Sequence, residues 1–275
     1  MKKIQVVLIF LLVNSGISAQ LYRPKKVVVP DTVFSVEFLN HSLGQYSDKQ
    51  INKNFVNVKW SLTKGRSEIV EDDKFDKVLR VKYPESAVGP EMGGIQFVRP
   101  LPANNEYYLD YYLKAEKGFD FVKGGKLPGL TSGGDKFTGG HHPEHGEGWS
   151  ARYMWVQDGG LIVYLYYVDM KSKYGDHLVL KKAKLIPGKW HRITQHIVLN
   201  SDNKRNGIVQ VWFDEKKVVD ERNLRLRLDD KGKIDAFYFS TFHGGATPDW
   251  APNNDSFFRF DKITVSKVAP GFISE

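Results

Sequence analysis

The sequence predicts an all-β fold, two packed antiparallel sheets of the jelly-roll, lectin-like kind, and three observations carry that reading. Hydrophobic residues recur with period two, and clusters of glycine, proline, asparagine and aspartate separate the alternating runs. Beyond the N-terminus no stretch holds a 3.6-residue period, so helices are expected to be few and short. Alternation gives each strand one face for a core and one for solvent, and a second sheet must cover the first.

Taken in order, the chain opens with Lys2 and Lys3, an apolar run at residues 6–13 and small residues around Ser18 and Ala19. That is the outline of a secretory signal peptide, with cleavage expected between Ala19 and Gln20. Its run is too short for the roughly 20 residues of a spanning helix, so no membrane anchor is expected. Residues 1–19 are therefore read as the leader and 20–275 as one sandwich-sized domain, exported to the periplasm or beyond. Alternating runs follow at residues 32–38, 78–83, 106–113, 190–197 and 208–213, with turn clusters at 84–90, 100–105, 187–188 and 200–207.

Composition narrows the chemistry. The 275 residues contain no cysteine, which excludes disulfide scaffolds, thiol nucleophiles, zinc ribbons and iron–sulfur clusters. Forty Lys and Arg face 32 Asp and Glu, and removing residues 1–19 leaves a formal charge of +6. For an exported protein such a surface fits an acidic polysaccharide better than nucleic acid. A monomer is expected.

The most informative stretch is Trp149-Ser-Ala-Arg-Tyr-Met-Trp155 followed by Leu161-Ile-Val-Tyr-Leu-Tyr-Tyr167, which reads as a β-hairpin. Its register decides which side chains meet, because a shift of one residue reverses a whole strand. A three-residue loop, Gln157 to Gly159, sets Arg152 opposite Tyr164 and Ser150 opposite Tyr166; a two-residue Asp158-Gly159 turn would not. Glycine at the third loop position suits the left-handed residue of the longer loop, which favours the first register. A guanidinium, a hydroxyl and two phenols then share one patch of sheet. An arginine there can hold a sugar carboxylate with paired hydrogen bonds. A second feature is Lys126, flanked by glycines that let the backbone turn tightly beside it. It lacks the Gly-x-x-x-x-Gly-Lys-Ser/Thr order of a phosphate loop.

The motifs Lys123-Gly-Gly-Lys-Leu-Pro-Gly129, Ser132-Gly-Gly134, Trp149-Ser-Ala-Arg-Tyr-Met-Trp155 and Val163-Tyr-Leu-Tyr166 resemble the polysaccharide lyase family 14 domain. The resemblance continues through Asn206-Gly-Ile-Val-Gln-Val-Trp-Phe213 and Phe239-Ser-Thr-Phe-His-Gly-Gly245 to Phe260-Asp-Lys-Ile263, roughly residues 90–266. It implies a β-jelly roll with a concave substrate groove that cleaves acidic polysaccharides by β-elimination, chiefly alginate and in some members glucuronan. The glucuronan lyases of family 20 look similar as well. Carried over residue by residue, the resemblance implies catalytic roles for Lys126, Ser150, Arg152, Tyr164 and Tyr166. Arg152 and Ser150 are expected to hold the carboxylate region, with Lys126 and one of the two tyrosines dividing the base and acid roles.

Further substrate contacts are expected from Gln96, Lys123, His142, His145, His243 and Trp250. His142 and His145 lie in the stretch Gly139 to Gly148, which looks least like the family pattern and is read as a substrate-facing loop. Its glycines and proline rule out the helix on which a His-Glu-x-x-His zinc site works. His243 enters a glycine turn, where it either faces the groove or caps the turn. Glu37 and Asp261 are placed to meet across neighbouring strands and leave room for a structural calcium ion. Two carboxylates fall short of the six to eight oxygens such an ion takes, so no metal or cofactor is assigned. A non-catalytic carbohydrate-binding module is the alternative from another class. A glycoside hydrolase would need a carboxyl pair across the groove, and none is evident.

Overall fold

Alternating sequences make two-faced strands, and the computed structural model, which describes residues 31–273, assembles them into two antiparallel sheets. The strands in chain order begin with β1 (Thr32–Val36), β2 (Gly44–Gln45), β3 (Trp60–Leu62), β4 (Ser67–Asp72), β5 (Asp76–Tyr83), β6 (Ile95–Asn104), β7 (Glu106–Ala115) and β8 (Gly124–Ser132). They continue with β9 (Trp149–Val156), β10 (Gly160–Tyr166), β11 (Asp176–Lys184), β12 (His191–Val198), β13 (Gly207–Phe213), β14 (Lys216–Leu224), β15 (Ile234–His243) and β16 (Ser256–Ser266). One short α-helix, α1 (Asp48–Phe55), follows β2 in the chain and buries Ile51 and Phe55, the latter against Phe34, Phe97 and Phe237. The larger sheet runs β14-β13-β12-β7-β16-β5-β4-β2, with β1 also on β16; the smaller runs β11-β10-β9-β8-β15-β6-β3. This is a β-jelly roll. The expected leader, residues 1–19, lies outside the described residues.

The inner faces interlock through aromatic side chains. Phe97 stacks on Phe239 at 4.8 Å, and Phe239 meets Phe260 of the opposite sheet at 5.0 Å. Each such fully buried ring contributes roughly 1.5–3 kcal/mol. One polar residue belongs to this core for a structural reason. The β8–β9 ladder slips between Leu127 and Leu130, where Pro128 and Gly129 intervene. Gln195, fully buried on β12, crosses to that gap, accepting from the Leu130 N–H at 3.0 Å and donating to the Ala151 carbonyl at 2.7 Å. The two backbone groups freed by the slip are thereby satisfied.

Two local expectations need correction. Residues 100–105 do not form a turn cluster, because β6 runs through Pro100 and Pro102 to Asn104. β3 covers β6 only from Gln96 to Val98, so the prolines sit where that edge is open and no ladder donor is missed. The glycines around Lys126 also do not turn the chain. They lie within or at the start of β8, and a Cβ on Gly125 would stand 2.1 Å from the Trp155 ring, so their task is close approach to β9.

Candidate active site

The hairpin forms with the three-residue loop. Gln157–Gly159 links β9 to β10, Gly159 has φ +81°, and the register pairs Tyr164 with Arg152 and Tyr166 with Ser150. Parity then sends Trp149, Ala151, Tyr153 and Trp155 into the core and Ser150, Arg152 and Met154 to the outer face of the smaller sheet. On the neighbouring strand Lys126 pairs with Met154 on one side and Phe242 on the other, which puts it on the same outer face.

Two cations define this face. The Arg152 guanidinium is 2% exposed; its Nη1 donates to Ser240 Oγ at 3.0 Å, its Nε has no partner, and its carbon lies 5.2 Å from the centre of the Tyr238 ring. Lys126 Nζ meets the Met154 sulfur at 3.0 Å and lies 4.4 Å from the centre of the Tyr164 ring. Neither cation has a carboxylate within ion-pair distance among the described residues. Burial, reinforced by Arg152, draws the Lys126 ammonium well below its usual pKa.

The tyrosines complete the cluster. Their hydroxyls are 3.2 Å apart with the rings edge to face, and Tyr166 accepts the Gly140 N–H at 3.1 Å. Burial and the neighbouring Tyr166 push the Tyr164 phenol up against the smaller opposing pull of Arg152. Ser150 has no exposed surface, and its hydroxyl donates to the Phe137 carbonyl at 2.7 Å, anchoring the loop of residues 133–148.

The expected substrate contacts divide. Gln96 joins the cluster through Ser240 Oγ at 3.2 Å and the Tyr238 hydroxyl, both donating to its Oε1. Trp250 packs half-buried against the Met154 and tyrosine cluster, and Lys123 pairs on the surface with the adjacent Asp249. His142 is half-buried with Nε2 3.3 Å from the Met170 carbonyl, and His145 is exposed on the same loop. His243 is the exception. It pairs with Gly125, faces inward between Tyr83, Phe119 and Trp155, and contacts the Asp120 carbonyl through Nε2 at 2.7 Å. The core surrounds it, so it does not line the outer face. Glu37 lies near enough to Asp261 for its charge to help raise that carboxyl, burial being the larger cause. Among the described residues no three acidic or histidine side chains gather to hold a metal.

Sequence reasoning missed Tyr238, Ser240 and His177. His177 stands opposite Tyr164 on β11, its ring 5.6 Å away, and burial with Lys126 lowers its pKa.

An outer sheet face that gathers unpaired cations beside phenols, on a jelly roll, belongs to an enzyme acting on acidic polysaccharides. The chain belongs to the polysaccharide lyase 14 family, whose model matches residues 71–263. Its structure is similar to that of the alginate lyase Aly36B, with a TM-score of 0.77 and 27% identity over 87% of this chain and 98% of that one. A lysine-and-tyrosine double alanine variant of Aly36B has been solved with an alginate tetrasaccharide, and a lysine-and-methionine variant with a trisaccharide. The fold is shared with the alginate lyase of Aplysia kurodai, TM-score 0.74 at 24% identity over 86% of this chain and 99% of that one. It is shared too with vAL-1 from a Chlorella virus, TM-score 0.68 at 22% identity over 82% and 100%. No curated protein sequence matches the chain. No helix among the described residues is long and apolar enough to cross a membrane.

Proposed function

We propose that this enzyme is an exported lyase that cleaves alginate, mannuronate-rich blocks first, by β-elimination. The observation that carries the reading is a sheltered cation, Arg152, beside a sheltered amine, Lys126, with no carboxylate paired to either among the described residues. A buried unpaired charge costs stability, and an arriving uronate carboxylate offsets that cost. Arg152 and Gln96 take the carboxylate, which makes the C5 proton acidic enough to remove. Lys126 accepts that proton. The released electron pair forms the C4–C5 double bond, the C4–O bond breaks, and a phenol of the Tyr164 and Tyr166 pair protonates the departing oxygen.

The direction of each shift supports these roles: a lysine drawn down gives up its own proton more readily and so frees its lone pair for the C5 proton, and a tyrosine pushed up keeps the proton an acid must give. Lysine, methionine and tyrosine are also the residue types replaced in the Aly36B variants solved with alginate oligosaccharides. Export rests on the leader-like residues 1–19.

The test is ultraviolet absorbance of the protein incubated separately with polymannuronate, polyguluronate, glucuronan and a sulfated control. Elimination leaves a conjugated unsaturated uronate, whereas hydrolysis does not. We expect the steepest rise with polymannuronate. Flat traces on every polymer, with binding retained, would make this a binding module.

A further inference from the structure

We propose that Ser240 is a positioning residue that fixes the orientation of the Gln96 amide, so that its N–H groups stand beside the Arg152 guanidinium as a second carboxylate donor. This rests on the lyase reading given above. Ser240 and Gln96 are directly paired across β15 and β6, and Arg152 reaches them from β9 across the intervening strand β8. At that crossing β8 carries the Pro128–Gly129 slip, and a Cβ on Gly129, paired with Tyr238, would stand 2.6 Å from the Arg152 Cα, so glycine there lets β9 lie close.

The order of protons along this chain follows from what each group can do. Arginine only donates, so Ser240 Oγ accepts from Arg152 Nη1 at 3.0 Å. The serine proton is then directed onward to Gln96 Oε1 at 3.2 Å, and the Tyr238 hydroxyl donates to the same oxygen. Two donors occupy both lone pairs of that carbonyl oxygen. The Gln96 Nε2 protons are left over, and no acceptor takes them among the described residues. Ser240 has no exposed surface, and its hydroxyl is engaged by both Arg152 and Gln96, while the Tyr238 hydroxyl is turned to Gln96. Tyr238 therefore acts through Gln96, and Ser240 through Gln96 and Arg152. Because negative charge on the substrate carboxylate grows as the C5 proton leaves, a donor aimed there lowers the barrier more than it strengthens binding.

The experiment is a double-mutant cycle read by absorbance of the unsaturated product, giving kcat and KM, with unfolding midpoints measured alongside. Ser240→Ala is expected to lower kcat/KM about tenfold or more, mostly through kcat, the scale of one lost donor to a charged group. Ser240→Thr, which keeps the hydroxyl, should stay within about threefold of the parent. On a Gln96→Ala background Ser240→Ala should cost clearly less than in the parent, the remainder being its contact with Arg152, since residues acting through one contact are non-additive. Should Ser240→Ala fail to fold, Tyr238→Phe probes the same oxygen in the same cycle. Full kcat/KM in Ser240→Ala or in Tyr238→Phe, or equal losses with and without Gln96, would overturn the proposal. A parent inactive on every polyuronate refutes the lyase reading instead. The same cycle is then read as calorimetric affinity for a mannuronate oligosaccharide, where additivity again sinks the role assigned to Ser240.

Discussion

The two outer sheet faces carry the same kinds of side chain and treat them differently. On the larger sheet Arg80 is held by Glu68 and Glu116, Arg259 by Glu116 and Asp72, Lys114 by Asp72, and Arg192 by Asp110 and Glu215. On the smaller sheet Lys126 is left with a thioether and a ring, and Arg152 with one hydroxyl. Both faces alternate with a core, so strand geometry alone does not cause the contrast. A chain that supplies carboxylates to four cations on one face and withholds them from two on the other sacrifices stability where a ligand is to bind.

The largest effect that would sharpen this contrast comes from Lys126→Met. Turnover should fall by about a thousandfold or more, while replacing a sheltered amine that has no carboxylate partner by an apolar side chain raises unfolding stability by about 1–2 kcal/mol in denaturant titrations. Lost activity with equally lost stability would contradict it.

Asp261 tests the contrast from the paired face, because it is a buried acid that forms no ion pair among the described residues. Burial, with help from Glu37, raises its carboxyl to about 7. For an acid raised on folding, the folded protein binds the extra proton between the unfolded and folded values, so stability falls as pH rises through that window. Asp261→Asn keeps an acceptor for the Phe38 N–H and should stabilise the protein at pH 8 by on the order of 3 kcal/mol, with little effect near pH 4. Equal effects at both pH values would show that Asp261 does not titrate in that window.

A smaller effect is expected from Glu116→Gln, which leaves Arg80 and Arg259 each with one remaining carboxylate partner. The pairs are partly solvated, so the loss should be about 1–2 kcal/mol, with kcat/KM unchanged. A change in kcat/KM would mean that the two faces are coupled.

Much of this arrangement was legible in the sequence. Period two gave the strands, and one loop glycine at position 159 gave the register that gathers Arg152, Ser150, Tyr164 and Tyr166. The same rule was available for His243 and would have placed it correctly: Phe237, Phe239 and Thr241 share its parity, while Tyr238 and Ser240 take the other face. The Arg152, Ser240 and Gln96 chain was not legible. Its members lie 88 and 144 residues apart, and which strands become neighbours is decided by the closed sandwich rather than by local pattern. His177 escaped because its strand, Asp176–Lys184, runs three apolar residues, 178–180, into two lysines and so gives a weak period.

The most direct test of the central claim is calorimetric titration of the protein with a mannuronate oligosaccharide and with the same oligosaccharide after its carboxylates are reduced to alcohols. An unpaired guanidinium that waits for a carboxylate predicts binding of the acid form and at least about tenfold weaker binding of the reduced form, the scale of losing the charge-assisted contact to Arg152. Equal affinity for both would show that the site reads sugar shape and that Lys126 and Arg152 are unpaired for some other reason.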